Sequence, residues 1–278
     1  MITAQTNGSS GGDFLLSKWF LDFVGDEGEA MIFYAAKLKW HGWSVSYTSW
    51  LRYNPASGVL LKSRFQNVSL PVIEDNLIIW NDPRFGVSGT WRSMADRIKT
   101  RLFDSEEGCV EWNCYQPASK VQLKIKDKIL NGRGYAEQLI MTVLPWKIPM
   151  DELRWGRFGS ENMNMVWIEL VGKENQKWLW VNGELMHNFG IKDNYLSIPE
   201  KSLILNLDRG VVLEAEKKIS AVAGKLIRYI PGIKSLMPLH FLMADETKWL
   251  SRGLILAGGE KFADGMAIHE IVNFRPLL

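Results

Sequence analysis

Short runs rich in aromatic and aliphatic residues recur along most of the chain, and each is cut off by turn chemistry. "LIIW", "GCVEWNCY", "KVQLKIK", "MVWIELVG", "KWLWVNG" and "SLILNLDR" are bounded by Gly, Asn, Asp or Pro clusters such as "NPASG", "SEEG" and "VNGE". In "WSVSYTSWLRY" the residues alternate. Val45, Tyr47 and Leu51 fall on one face and Ser44, Ser46, Thr48 and Arg52 on the other, with Trp50 breaking the pattern. Many short strands at regular intervals predict an antiparallel sandwich or barrel. Helical signal is thin. The main candidate is 211–230, where Val212, Ala215, Ile219, Val222, Leu226 and Ile230 roughly follow helical spacing; Val211, Leu213 and Ala215 alternate as a strand would. The expected fold class is all-β, with one or two short helices at most.

Two segments echo each other. "GYAEQLIMTV" starts at 134 and "AIHEIVNF" at 267; each carries a glutamate at its fourth position and follows a glycine-containing turn. Two β units, each closed by such a strand, account for a length of 278 residues. The proline-bearing "PWKIPMDEL" places the boundary near 145–160. The expected division is a flexible polar leader over 1–14, a first unit over 15–147 and a second over 148–278.

Composition narrows the function classes. A net charge of +2 is too mild for a nucleic-acid footprint, which needs a clustered basic face. No apolar run is long enough to span a bilayer, and "MITAQTNGSSGGD" has no basic stretch followed by an apolar core. A cytoplasmic protein is the expectation. Cys109 and Cys114 in "CVEWNC" have an odd spacing, which on one strand puts them on opposite faces and argues against a disulfide between them. A zinc site would need a second ligand pair at suitable spacing, and none is present, so no metal is expected. No glycine-rich phosphate loop or Gly-x-Ser-x-Gly elbow appears. His41, His187 and His240 are isolated and read as structural. Thirteen tryptophans suit either a β-rich core or an aromatic-lined cavity.

The chemistry concentrates on two glutamates. Strand alternation puts Tyr135, Glu137, Leu139, Met141 and Val143 on one face. A carboxyl group among Leu, Met and Val is desolvated, which favours the neutral acid, and a neutral acid can donate a proton. Ile268, Glu270, Val272 and Phe274 repeat the arrangement, with His269 pointing the other way. The competing reading is structural. Arg133, Arg154 and Arg157 are near in sequence, and an ion pair to Glu137 would tie the two units together.

The stretch "GRGYAEQL…PWKIPMDELRWGRF…VWIEL" resembles the double-lipocalin (calycin-like) superfamily that includes carotenoid 1,2-hydratase and tocopherol cyclase. The resemblance rests on Gly134-Tyr135-Ala136-Glu137, on Trp146 and on Arg154-Trp155-Gly156. "SKWFLDF…MIFYAAKL", "NDPRFGVSGTW", "EWNCYQP" and "GMAIHEIVNF" are similar to further segments, so that it spans about 15–278. It implies two lipocalin-like antiparallel β-barrels packed side by side, with an apolar cavity and cofactor-free chemistry on an isoprenoid or polyene-like small molecule. An acid protonates an alkene, and water or an internal hydroxyl captures the cation. It makes Glu137 the candidate acid. Tyr135, Trp146 and Trp155 would line the cavity or stabilise positive charge. The hydratase-type second aspartate has no clear counterpart; Asp82 is the nearest candidate. Trp50, Trp91 and Glu270 complete the expected substrate contacts. The rival expectation is a lipocalin-like binding protein that holds a hydrophobic ligand without reaction.

Overall fold

The computed structural model describes residues 14–218 and 237–274. The leader before Phe14 and the candidate helical stretch 219–230 lie outside the described residues. The first eight residues of the candidate stretch form a strand, Val211–Lys218.

The first ten strands are β1 (Leu15–Gly25), β2 (Ala30–Trp40), β3 (Trp43–Asn54), β4 (Gly58–Phe65), β5 (Val72–Glu74), β6 (Leu77–Asp82), β7 (Val87–Ser93), β8 (Ile98–Ser105), β9 (Gly108–Ile125) and β10 (Lys128–Met141). The next are β11 (Glu152–Gly159), β12 (Asn164–Val171), β13 (Gln176–Val181), β14 (Glu184–Leu185), β15 (Gly190–Lys192), β16 (Tyr195–Ile198), β17 (Leu203–Leu207), β18 (Val211–Lys218), β19 (Asp245–Ala257) and β20 (Glu260–Asn273). A one-turn helix, α1 (Leu239–Leu242), precedes β19. The turns follow the expected chemistry. In "VNGE", Asn182 and Gly183 both take positive φ, 49° and 83°, the pair that a tight hairpin between β13 and β14 requires.

Two ten-stranded antiparallel sheets result. The first runs β4-β3-β2-β1-β10-β9-β7-β6-β5, with β8 on β9; the second runs β14-β13-β12-β11-β20-β19-β17-β16-β15, with β18 on β19. The orders match strand for strand, each strand of the second sheet standing where the strand ten places earlier stands in the first. The echo between "GYAEQLIMTV" and "AIHEIVNF" is thus a topological one. Both lie on closing strands, β10 and β20, that return to pair with the opening strands β1 and β11.

The first sheet curls. Phe33 on β2 and Trp80 on β6 have ring centroids 5.0 Å apart. In a flat sheet, five strand spacings would separate them by roughly 24 Å. The curl encloses a core built from this sheet alone, including Trp19, Leu21, Phe23, Phe33, Trp50, Trp80 and Trp91. The second sheet encloses its own core around Phe158, Trp167, Leu179 and Leu205.

A third apolar cluster draws on both sheets, with Phe20, Trp112 and Tyr135 from the first and Trp155, Ile168, Trp180 and Ile268 from the second. It explains the sequence of β1. Trp19, Leu21 and Phe23 fill the first core, while Phe20 and Val24, pointing the other way, join the shared cluster. Both faces are apolar, so the run loses the clean alternation of a strand with one wet face. Burying both faces over two sheets stabilises by about 25 cal/mol per Å² of apolar area, the main force holding the halves together.

Candidate functional site

A large apolar cavity lies in this shared layer and not inside either curled sheet. It has a volume of about 410 Å³ and is walled by side chains of both sheets. Leu38, Val45, Leu139 and Met141 come from the first; Leu153, Trp155, Ile168 and Leu170 come from the second. Trp146, on the turn Pro145–Lys147 that links them, closes one side against Trp40 and against Phe241 of α1. Sequence reasoning expected an apolar cavity with the barrels. The observed one is between them because apolar side chains fill the sheet interiors, largely aromatic in the first sheet and largely aliphatic in the second.

Glu137 lines this cavity. It stands on β10 opposite Phe20 of β1 and Cys114 of β9, in the face shared by Tyr135, Leu139 and Met141 that alternation predicted. Three donors converge on its Oε2: the Tyr135 hydroxyl at 2.5 Å, the Trp112 indole N–H at 2.5 Å and the Trp155 indole N–H at 3.2 Å. The other oxygen, Oε1, takes none of these bonds. Burial pushes the Glu137 carboxyl above its ordinary value. The Tyr135 and Trp112 hydrogen bonds and the Lys18 ammonium pull the other way, and the Glu270 charge adds to the rise.

None of the three candidate arginines reaches Glu137. Arg157 donates through Nε and Nη2 to Asp22 at 2.8 and 2.6 Å. Arg154 pairs with Glu152, Glu169 and Asp193. Arg133 bonds the Ser160 carbonyl. An arginine bridge between the two sheets does exist, and its carboxylate is Asp22. Asp22 occupies the even face of β1 within an otherwise apolar run, Trp19 to Val24, which is the sequence signal for a buried pair.

Glu270 also lines the cavity, and its partner is Lys248 of β19 at 2.5 Å. Lys248 is fully buried and reaches Glu246, Glu214 at 3.5 Å and the Tyr34 hydroxyl at 2.8 Å. Burial works against the Lys248 charge, yet Glu246 and Glu270 outweigh it and hold the ammonium protonated. Burial raises Glu270 despite Lys248, and the neighbouring Glu246 charge raises it further. Lys248, Glu214, Glu246, Tyr34, Lys18 and Trp112 were not among the expected site residues. Alternation along "DETKWL" could have put Glu246, Lys248 and Leu250 on one face. No local pattern could have brought Tyr34 to a lysine 214 positions away.

The other expected residues fall into two groups. Trp146 and Trp155 line the cavity. Tyr135 stands behind Glu137, fully buried, and touches the site only through its hydroxyl, so it positions the carboxyl instead of forming wall. Asp82, Trp50 and Trp91 lie elsewhere. Asp82 is fully buried at the end of β6, where it accepts from the backbone N–H and the guanidinium of Arg84 and so caps its own turn. Trp50 packs in the first sheet's core beside Phe33 and Phe85. Trp91, also in that core, donates its indole N–H to the Asp22 carbonyl at 2.7 Å. All three serve the filled interior of the first sheet, which is why they are absent from the cavity between the sheets.

Cys109 and Cys114 are both free. Among the described residues no group of three or more His, Cys, Asp or Glu could hold a metal ion, and no helix is long and apolar enough to cross a membrane.

No protein-family profile matches the chain, and no curated protein matches it in sequence. Solved structures do match in fold. CghA has a TM-score of 0.61 at 12% identity, over 98% of this chain and 94% of that one, and a structure of CghA with Sch210972 matches similarly at 0.58. Kievitone hydratase from Nectria haematococca has a TM-score of 0.54 at 12% identity, covering 95% of this chain and 90% of that chain. AttH from Nitrosomonas europaea gives 0.50 at 10% identity, over 96% and 98%. At such identity the likeness is one of backbone, and on that ground the chain has the double-lipocalin-like fold that the Gly-Tyr-x-Glu strand led us to expect.

Proposed function

We propose that this protein is a cofactor-free cyclase or hydratase for an apolar, isoprenoid or polyene-like small molecule, with Glu137 as the acid. The observation that carries this reading is a carboxyl group set in the wall of an apolar cavity, with three donors on one oxygen and with Arg133, Arg154 and Arg157 all paired elsewhere.

The arrangement suits proton donation. With Oε2 accepting three hydrogen bonds, the proton of the neutral acid belongs on Oε1. Transfer forms a C–H bond from the alkene π pair and leaves a cation on the neighbouring carbon. The negative charge left on Glu137 meets donors that are already in place, so little reorganisation is needed. Water, or a hydroxyl of the substrate, then adds to the cation, and its proton returns to the carboxylate. The π faces of Trp155 and Trp146 suit a passing positive charge. A shaped apolar cavity also holds a flexible chain in one conformation, which removes orientational entropy from the barrier. That one of the fold's relatives is a hydratase is in keeping with the reading.

A second reading is favoured by the saturation of Oε2: a carboxyl anchored by three donors also suits a carrier, in which it only braces the two sheets. The two readings separate in one experiment. Lipophilic compounds that co-purify with the protein are incubated with it in heavy-oxygen water and analysed by mass spectrometry. Incorporation of heavy oxygen, or an isomer of equal mass and new retention, supports the enzyme. A ligand recovered unaltered by wild type, with tryptophan quenching on its addition, supports the carrier.

A further inference from the structure

At the Lys248 end of the cavity, the Tyr34 hydroxyl is a donor that no described residue takes up. Its oxygen accepts from the Lys248 ammonium at 2.8 Å, so its own proton must point elsewhere. Among the described residues no acceptor takes that proton, and Tyr34 lines the cavity. Lys248 cannot serve a ligand directly. It is fully buried, and its three protons are shared among Tyr34, Glu246, Glu270 and the more distant Glu214. It acts instead through the phenol: an ammonium bonded to the hydroxyl oxygen makes the O–H a stronger donor. Burial pushes the Tyr34 phenol well above its ordinary value, so the proton stays on it. The ring is held in place edge-on to Phe20 at 5.3 Å, with the Lys18 ammonium 4.8 Å from its centre. Phe20 in turn packs on Trp155, one of the donors to Glu137, at 4.8 Å.

We infer that Tyr34 is a specificity-determining donor for an oxygen acceptor of the ligand, so that the site takes an apolar molecule bearing a conjugated carbonyl. The inference rests on the cavity being the ligand site, as in the reading above. A carbonyl oxygen matches a single polarised O–H in an apolar wall. The conjugated form fits best, because negative charge drawn onto its oxygen is met by a phenol backed by an ammonium.

Two probes whose binding can be read without any turnover test this. One is β-ionone, a conjugated ketone; the other is the hydrocarbon of the same skeleton in which a methylene replaces the carbonyl oxygen. Binding is followed by quenching of tryptophan fluorescence, and the carbonyl stretch of the bound ketone by isotope-edited infrared difference spectra. The wild type should prefer the ketone by about tenfold, the usual effect of one good hydrogen bond in a dry site. Its carbonyl band should move to lower wavenumber than in an apolar solvent. Tyr34→Phe, which keeps the ring against Phe20, should lose both the preference and the shift. Equal affinity of the wild type for the two probes, including no measurable binding of either, would overturn the inference. So would a preference and a band shift that survive in Tyr34→Phe. The infrared band of the wild type alone decides the matter if the variant does not fold. Neither probe has to react, so a negative result here leaves Glu137 standing as an acid. An unchanged turnover in Glu137→Gln would, conversely, leave Tyr34 standing.

Discussion

Arg157 on β11 grips Asp22 on β1 with both arms of its guanidinium, Nε at 2.8 Å and Nη2 at 2.6 Å, and both residues are buried. This bidentate pair joins the two sheets on the same shared layer as Glu137. It frees Glu137 from the bridging role that sequence proximity to the arginines had suggested.

Removing one partner of such a pair leaves an uncompensated buried charge. Arg157→Met should therefore destabilise the protein by about 3–5 kcal/mol. Replacing both partners, as in Asp22→Leu with Arg157→Met, should recover most of that loss, because two apolar side chains suit the layer. Urea unfolding of the two variants against wild type checks this. A double variant no more stable than the single one would mean that the pair contributes more than mutual neutralisation.

Glu137→Gln should abolish turnover while leaving the fold intact. The carboxyl group also predicts a pH signature. Its value in the folded protein is raised, so the folded state holds the proton to higher pH than the unfolded chain does. The stability this supplies is full below the ordinary carboxyl value of 4.5 and is lost as pH rises through the raised folded value. Glutamine has no such term. The stability of wild type relative to Glu137→Gln should fall as pH increases over that window, and urea titrations at a series of pH values measure it. Tyr135→Phe removes a donor that favours the anion. It should move the basic limb of the kcat/KM profile to higher pH. A limb that stays in place would mean that Glu137 is not the titrating acid.

His269 sits on the opposite face of β20 from Glu270, bonded to Ser251 at 2.8 Å and stacked on Trp249. Burial first and the Arg209 charge second lower it to about 4, against the opposing Asp208 charge. Its neutral form is what the fold accommodates. The stability it supplies is complete above the ordinary value of 6.5 and is lost as pH falls from there toward about 4. The loss is on the order of 3 kcal/mol. His269→Gln, which can still bond Ser251, should flatten this acid limb in melts recorded between the two values. An unchanged limb would assign acid sensitivity to other groups.

Gly134 has a packing reason to be glycine. A Cβ there would lie 2.2 Å from the Asp22 carbonyl oxygen and 2.6 Å from Val121 Cγ2. The same carbonyl takes the Trp91 indole N–H, so the backbone of β1 has little freedom to retreat. Gly134→Ala should destabilise by about 1–3 kcal/mol, read as a lowered melting temperature. Loss of the Trp91 bond should show in the near-ultraviolet circular dichroism. A melting temperature equal to wild type would show that β1 can shift after all.

Much of this site was legible in the chain. Period-two alternation is a local property of extended backbone, so Tyr135, Glu137, Leu139 and Met141 could be placed on one face without any tertiary knowledge. The same holds for Ile268 and Glu270, with His269 opposed. The short strands, the Asn-Gly turn at 182 and 183, and the echo of one closing strand in the other likewise follow from residues near one another in sequence. The tryptophans were not legible. Trp50 and Trp91 read no differently from Trp155, because an aromatic in a strand packs equally well into a closed core or against an open wall.

The chain by itself thus determined which side chains share a face, where strands end and that a carboxyl group must sit among apolar neighbours. The tertiary structure decided what each face looks at. Curling each sheet around its own apolar core turned the other face outward, and two such faces meeting made the layer that holds the cavity. That meeting brought Trp112 and Trp155, from different sheets, onto one oxygen of Glu137, gave Arg157 to Asp22, and set Tyr34 against Lys248. Such pairings are fixed by the burial of whole apolar surfaces, a sum over many distant residues, and no short stretch of sequence contains them.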